Sequence, residues 1–142
     1  MDWTSGYVAE IDYTYGYYRE LQAELMDFAL LLAWQKPLGK SADSKPLRYL
    51  ELGYGQGLSL NIHAAASRGE FWGTDFNPAQ AAGAAEMANA SGSNLFLLDA
   101  SFEELAQRDD LPLFDVIALH GIWSWISDLN RQFIVEIIRR HL

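Results

Sequence analysis

The chain has 142 residues, half of them hydrophobic and a fifth charged, so it can bury a core and is not a disordered tract. It contains no cysteine, which excludes disulfide scaffolds and thiolate metal sites. Ten basic residues against nineteen acidic ones leave a net charge of −9; this argues against nucleic acid, whose binding draws on Lys and Arg neutralising phosphates, and suits a cationic or neutral acceptor better.

The N-terminus begins Met1-Asp2-Trp3, with no basic segment ahead of an apolar one, so a cytoplasmic protein is expected. The stretch "YTYGYYRE" sets Tyr13, Tyr15, Tyr17 and Tyr18 around one glycine. A tyrosine has an apolar body and a polar tip, which fits either a lid over a ligand or a cover for a sheet face; Tyr13 and Tyr18 are the lid residues to test. Arg19 to Gln35 follows as an amphipathic helix, with Leu21, Leu25, Phe28, Ala29 and Leu32 marking its buried face. Its apolar run, Phe28 to Trp34, is too short to span a bilayer, and Pro37 and Gly39 end it. The aromatic segment and this helix occupy residues 1–40, and the core 46–142, of one domain over 1–142.

From residue 47 strands and helices alternate. "LRYLEL" (47–52) is a strand, and a glycine turn leads into a helix from Leu58 to Ser67. "EFWGTD" (70–75) is a second strand, after which Asn77-Pro78 caps a helix ending at Ser91-Gly92. "NLFLLD" (94–99) is a third strand, and Ser101 with Glu104 has capping-box spacing for a short helix. "FDVIALH" (114–120) is a fourth, continuously apolar strand, followed by a helix from Asp128 to Arg140. The pattern predicts a doubly wound α/β fold with a mostly parallel sheet. A further strand is expected after the last helix, but the chain ends at Leu142. Strand four is then an open edge, to be covered by a further domain or by a second copy in a homodimer.

Ligands in such sheets bind at the carboxyl ends of the strands. Those ends carry Glu51, Asp75, Asp99 and His120. Gly53, Gly55 and Gly57 make G-x-G-x-G around Tyr54, one residue shorter than the dinucleotide fingerprint, and Glu51 beside them would repel a pyrophosphate and welcome an ammonium group. A tight turn without a ligand would use the same glycines. Asp75 stands where a carboxylate accepts from a ribose diol, or it caps the helix that follows. Asp99 can take a hydrogen bond from an adenine amino group, with Ala100 and Ser101 offering backbone groups alongside, or it is one more capping acid. His120 is placed to act as a general base, or to bond a loop and position Trp123. Trp123, Trp125 and Ile126 either wall an acceptor site or pack the last helix on the sheet. His63, expected on a helix flank, His120 and His141 do not group as metal ligands, and no G-x-S-x-G occurs.

Together "LELGYGQG", "GTDFNP", "LLDASFEEL" and "FDVIALHGIWSWIS" resemble the class I S-adenosylmethionine-dependent methyltransferases. With "YTYGYYREL" the chain looks most similar to bacterial methyltransferases that carry a methyltransferase regulatory domain. The resemblance implies a Rossmann-like core missing its later strands, S-adenosylmethionine as cofactor and S-adenosylhomocysteine as product. It implies that Gly53, Tyr54, Gly55 and Gly57 pass under the methionine moiety, with Glu51 near its amino group. Asp75 would hold the ribose, Phe76 lie against the adenine, and Asp99, Ala100 and Ser101 meet the adenine edge. His120 and Gly121 would border the sulfonium and an unidentified small-molecule or protein acceptor. Alternatives are a non-catalytic cofactor-binding or regulatory module and, less favoured by the turn and Glu51, an NAD(P)-dependent oxidoreductase.

Overall fold

Alternating side chains are what let one sheet build two cores. In the computed structural model, which describes residues 15–38 and 45–142, four strands form a sheet: β1 (Leu47–Leu52), β2 (Gly69–Asp75), β3 (Leu95–Asp99) and β4 (Val116–Leu119). Their order is β3-β2-β1-β4 and every pairing is parallel. Helices α1 (Ala23–Leu32), α2 (Leu58–Ala66), α3 (Pro78–Ser91), α4 (Phe102–Ala106) and α5 (Asp128–His141) complete the described elements, with short 3-10 turns at Arg19–Leu21 and Trp123–Trp125. This is the expected doubly wound α/β architecture. Leu50 and Leu52 face Phe102 and Leu105 of α4 and Ile134 and Ile137 of α5. Tyr49, Phe71, Val116 and Ala118 face Leu60 and Ala64 of α2 and Ala84 of α3. Covering both faces of a parallel sheet in this way explains its long apolar runs.

The helix boundaries follow local chemistry. Asn77 caps α3 by accepting from the Ala79 N–H at 3.1 Å, with Pro78 in the first turn, and Gly92 closes that helix at φ 64°. Ser101 and Glu104 form the expected capping box on α4. The fourth strand is shorter than its apolar run. Phe114 donates its N–H to the His141 carbonyl at 2.7 Å, and the Asp115 side chain accepts from Arg48 N–H at 2.8 Å. Asp115 also donates its N–H to the Arg48 carbonyl at 2.8 Å, and the regular strand begins at Val116.

The first helix differs from its expected form. A 3-10 turn at Arg19–Leu21 is followed by Gln22 with an extended ψ of 126°, and only then does α1 begin. The break turns the helix so that Ala23 is buried and Met26 packs on the core, while Leu25, Phe28, Ala29 and Leu32 are exposed. Three- and four-residue spacing identifies an apolar stripe but not which way the stripe faces. His63 is also corrected: it is 1% exposed rather than on a flank, with the Tyr17 ring edge-on at 5.5 Å. Neither of its ring nitrogens has a hydrogen-bond partner. Burial pushes its imidazole down, against a smaller opposing effect of Glu24. Among the described residues no helix is long and apolar enough to cross a membrane.

One glycine inside a strand sets the spacing of the second core. A Cβ on Gly73 of β2 would lie 2.4 Å from Leu60 Cδ2 and 2.7 Å from Tyr54 Cδ1. Gly73→Ala should therefore overpack this face and destabilise the protein by about 1–3 kcal/mol. Denaturant unfolding checks it, and an unchanged midpoint would show that the face has slack.

Candidate functional site

The strand order reverses between β1 and β4, so the crevice at their carboxyl ends is the natural ligand position. Along that edge the structure sets Asp99, Asp75, Glu51 and His120 in turn, with Asp75 and Asp99 as register partners. The turn after β1 consists of three left-handed glycines: Gly53 at φ 73°, Gly55 at 58° and Gly57 at 71°. Gly53 donates to the Thr74 carbonyl at 2.9 Å, and Gly57 caps α2. A Cβ at Gly57 would stand 2.6 Å from Ala84 Cβ, so its bareness also brings α3 close to the turn. The glycines thus combine an uncommon backbone with close packing.

Asp75 joins this turn to the next. It is buried, its Oδ2 accepts from Gly55 N–H at 2.8 Å and its Oδ1 from Asn77 N–H at 3.0 Å. Burial pushes its carboxyl up, and the N–H groups of Asn77, Gly55 and Phe76 pull it back down. Three of the carboxylate's roughly four lone-pair sites are thus taken, and one is left for a ligand. Half-buried Phe76 follows directly.

Glu51 has no such support. It is 4% exposed and its Oε2 has no hydrogen-bond partner. Burial first, and the Asp75 charge second, push its carboxyl up to about 8. Without a ligand it is therefore mostly protonated at neutral pH. Tyr54 turns its ring into the core against Gly73 and Gly57, and its buried hydroxyl also lacks a partner. Burial, Asp75 and Asp99 push that hydroxyl up.

The third strand end is more fully engaged. Asp99 is exposed, whereas Ala100 donates to the Asp75 carbonyl at 3.1 Å and accepts from Thr74 Oγ1 at 2.6 Å. Ser101 gives its N–H to Glu104 Oε2 at 2.8 Å, and its hydroxyl completes the capping box. At the fourth end His120 and Gly121 are exposed, the latter at φ 67°. The ring of Tyr18 lies 4.4 Å from that of His120, and Glu20 Oε1 lies 3.5 Å from His120 Nε2. Tyr18 is therefore brought to the site; Tyr13 lies outside the described residues.

Of the aromatic segment after β4, Ile126 is buried in the core while Trp123 and Trp125 are exposed. Trp123 is tied to α5: the Arg131 guanidinium stands 5.7 Å from its ring and Arg131 Nε donates to its carbonyl at 2.9 Å. One face of the indole is thus already occupied. Among the described residues no group of three His, Asp or Glu is placed to hold a metal.

Four participants were not read from the sequence: Glu20, Gly73, Thr74 and Ser59 of α2, whose hydroxyl bonds the Tyr18 N–H and the Gly16 carbonyl. Gly73 had a usable signal, since a glycine inside a strand marks close approach. Glu20, Ser59 and Thr74 act through contacts between distant segments, for which no local pattern exists.

Comparison with known proteins gives the class. The profile of a methyltransferase domain family matches residues 50–142. The uncharacterized protein sll1526 of Synechocystis sp. is 42% identical over 144 residues, covering all of this chain and 28% of that protein. PKMT2 from Rickettsia typhi superposes with a TM-score of 0.68 at 20% identity, covering 92% of this chain and 25% of that one. Its complex with AdoHcy gives 0.60 at 23% identity, covering 68% and 19%. TehB from Haemophilus influenzae gives 0.63 at 15% identity, covering 90% and 38%. The fold is that of the Rossmann-like class I methyltransferases. The chain belongs to the methyltransferase domain family, and it spans little more than a quarter of the Synechocystis relative.

Glu51 makes a stability test possible before any ligand is added. A carboxyl raised in the folded state contributes stability that is complete below its unfolded value of 4.5 and lost as pH rises through about 8. Glu51→Gln removes that loss. At pH 9 the variant should be more stable than the wild type by roughly 2 kcal/mol, and the gap should close by about pH 5. Parallel stability–pH curves for the two proteins would count against a strongly raised Glu51.

Proposed function

We propose that this domain binds S-adenosylmethionine across the carboxyl ends of its strands, transfers the methyl group to a small-molecule or protein acceptor, and releases S-adenosylhomocysteine. The observation that carries the reading is Glu51, a buried carboxyl whose Oε2 is unpartnered beside a turn of three left-handed glycines. A buried acid without a partner is costly, and a ligand ammonium group would both ionise and satisfy it. A dinucleotide pyrophosphate at the same place brings no cation to ionise it.

The remaining residues divide the ligand among them. Gly53, Gly55 and Gly57 would let the methionine moiety approach the backbone. Asp75, fixed in position and with one lone-pair site left, would accept from a ribose hydroxyl, and Phe76 would lie against the adenine. Ala100 and Ser101 already use their N–H groups within the protein, which leaves the adenine amino contact to the Asp99 carboxylate. The cofactor, when bound, supplies a methyl group on a cationic sulfur. The protein's task is then to align an acceptor and exclude water. His120 would take a proton from a protonated acceptor, Gly121 would leave room beside it, and Tyr18, Tyr13 and Trp123 would close the acceptor side.

A non-catalytic cofactor-binding or regulatory module is the second reading. On either reading we place the domain in a cytoplasmic protein that acts on neither nucleic acid nor membrane. A further domain, such as a methyltransferase regulatory domain, or a second copy would cover the β4 edge.

Calorimetric titration with S-adenosylmethionine, S-adenosylhomocysteine and NAD tests the proposal. The two adenosyl ligands should bind and NAD should not; the reverse result would sink it. Binding at pH 7 should release close to one proton, because Glu51 must ionise, and affinity should rise as pH approaches 8. Above that the ligand's own amino group, with a usual value of about 7.7–8.0, loses its charge and affinity should fall again. Glu51→Gln should release no proton and bind about tenfold weaker or worse. Labelled methyl transfer to extract components separates the catalytic from the non-catalytic reading.

A further inference from the structure

Ser59 stands in the first turn of α2, two residues beyond Gly57, and is 4% exposed. A serine there could serve its own helix, but its hydroxyl is turned outward to another segment. It accepts from Tyr18 N–H at 2.8 Å and donates to the Gly16 carbonyl at 3.0 Å. Residues 16–18 are thereby bonded to the helix that the glycine turn begins. A second buried anchor lies three residues further on, where the Tyr49 hydroxyl of β1 donates to the Leu21 carbonyl at 3.0 Å. Between the two anchors half-buried Tyr18 lies against the His120 ring, and exposed Glu20 reaches the same histidine.

Ser59 and Tyr49 thus pin a short strap to α2 and β1, the two elements joined by the glycine turn. The turn, the first turn of α2 and the strap are therefore joined in one continuous run of backbone and hydrogen bonds. Resting on the methyltransferase reading above, we infer that Ser59 is a positioning residue, which transmits cofactor occupancy of the glycine turn to the Tyr18–Glu20 strap and so sets the surroundings of His120. The residues at the acceptor end would then be held in place when the cofactor is bound.

Hydrogen exchange on the whole chain, with and without S-adenosylhomocysteine, tests this. In the wild type the ligand should slow exchange across residues 16–21 by roughly fivefold or more, the size of a modest coupling. In Ser59→Ala the same residues should exchange fast and respond little to the ligand, while β1 and β2 keep wild-type protection. Ser59→Cys, closer in volume and a weaker hydrogen-bonding group, gives a second measurement in the same direction should the alanine variant fold poorly. The His120 ring resonances should also move in both variants, because the nearby Tyr18 ring shifts them. A wild-type strap indifferent to bound ligand, or a Ser59→Ala strap that still responds fully, overturns the inference. Absence of ligand binding to the wild type in a calorimetric titration of the same sample overturns the cofactor reading as well, and so tells the two failures apart.

Discussion

A single buried carboxylate, that of Asp75, holds together the turn after β1 and the turn after β2. One oxygen accepts from Gly55 and the other from Asn77, so each loop is tied to the end of β2. Gly53 and Gly57 have backbone bonds of their own, to the Thr74 and Tyr54 carbonyls, and Asp75 holds the middle glycine between them. With them the turn has a defined path, α2 begins at Leu58, and α3 approaches through the bare position at Gly57. The energetic balance is close, since burial disfavours the charge while three N–H groups favour it. Everything else at this end of the sheet is arranged around that compromise, including the exposed Asp99 beside it and the unsupported Glu51 on the other flank.

Much of this architecture was legible because it is written in local chemistry. Strand period, Asn77-Pro78, the Ser101–Glu104 capping box and the alternate glycines each act over a few residues, and each appears where its chemistry requires. The acids at the strand ends were legible for the same reason, since a strand end is a local feature and the sheet brings such ends together. What was not legible depends on long-range placement. The apolar stripe of α1 was real, but the break at Gln22 decides which side meets the core, and no periodicity encodes that rotation. Ser59 looks like an ordinary helix-start serine, and its partners lie more than forty residues upstream. His63 is buried, and Tyr17 from a distant segment meets its ring edge-on.

The two ends of the proposed site are built in different ways. At the ribose end, backbone groups and one carboxylate make a stiff frame within consecutive βα units. At the His120 end, the determinants come from the N-terminal strap, the tip of β4 and the segment leading to α5. Parts assembled from three separated stretches can change independently, and so can adapt to different acceptors without disturbing the frame. The Arg131 contact illustrates this: it anchors Trp123 through groups on α5 alone.

The row of acids along the sheet end bears on turnover as well as on recognition. Asp75 and Asp99 put negative potential at the strand ends, which would raise the encounter rate of a cationic ligand, and Glu51 would add its charge once that ligand is bound. Donating a methyl group removes the positive charge on sulfur, so the spent ligand is held by a weaker field than the fresh one. The same carboxylates would thereby favour exchange of product for substrate, a direction to the cycle that requires no moving part.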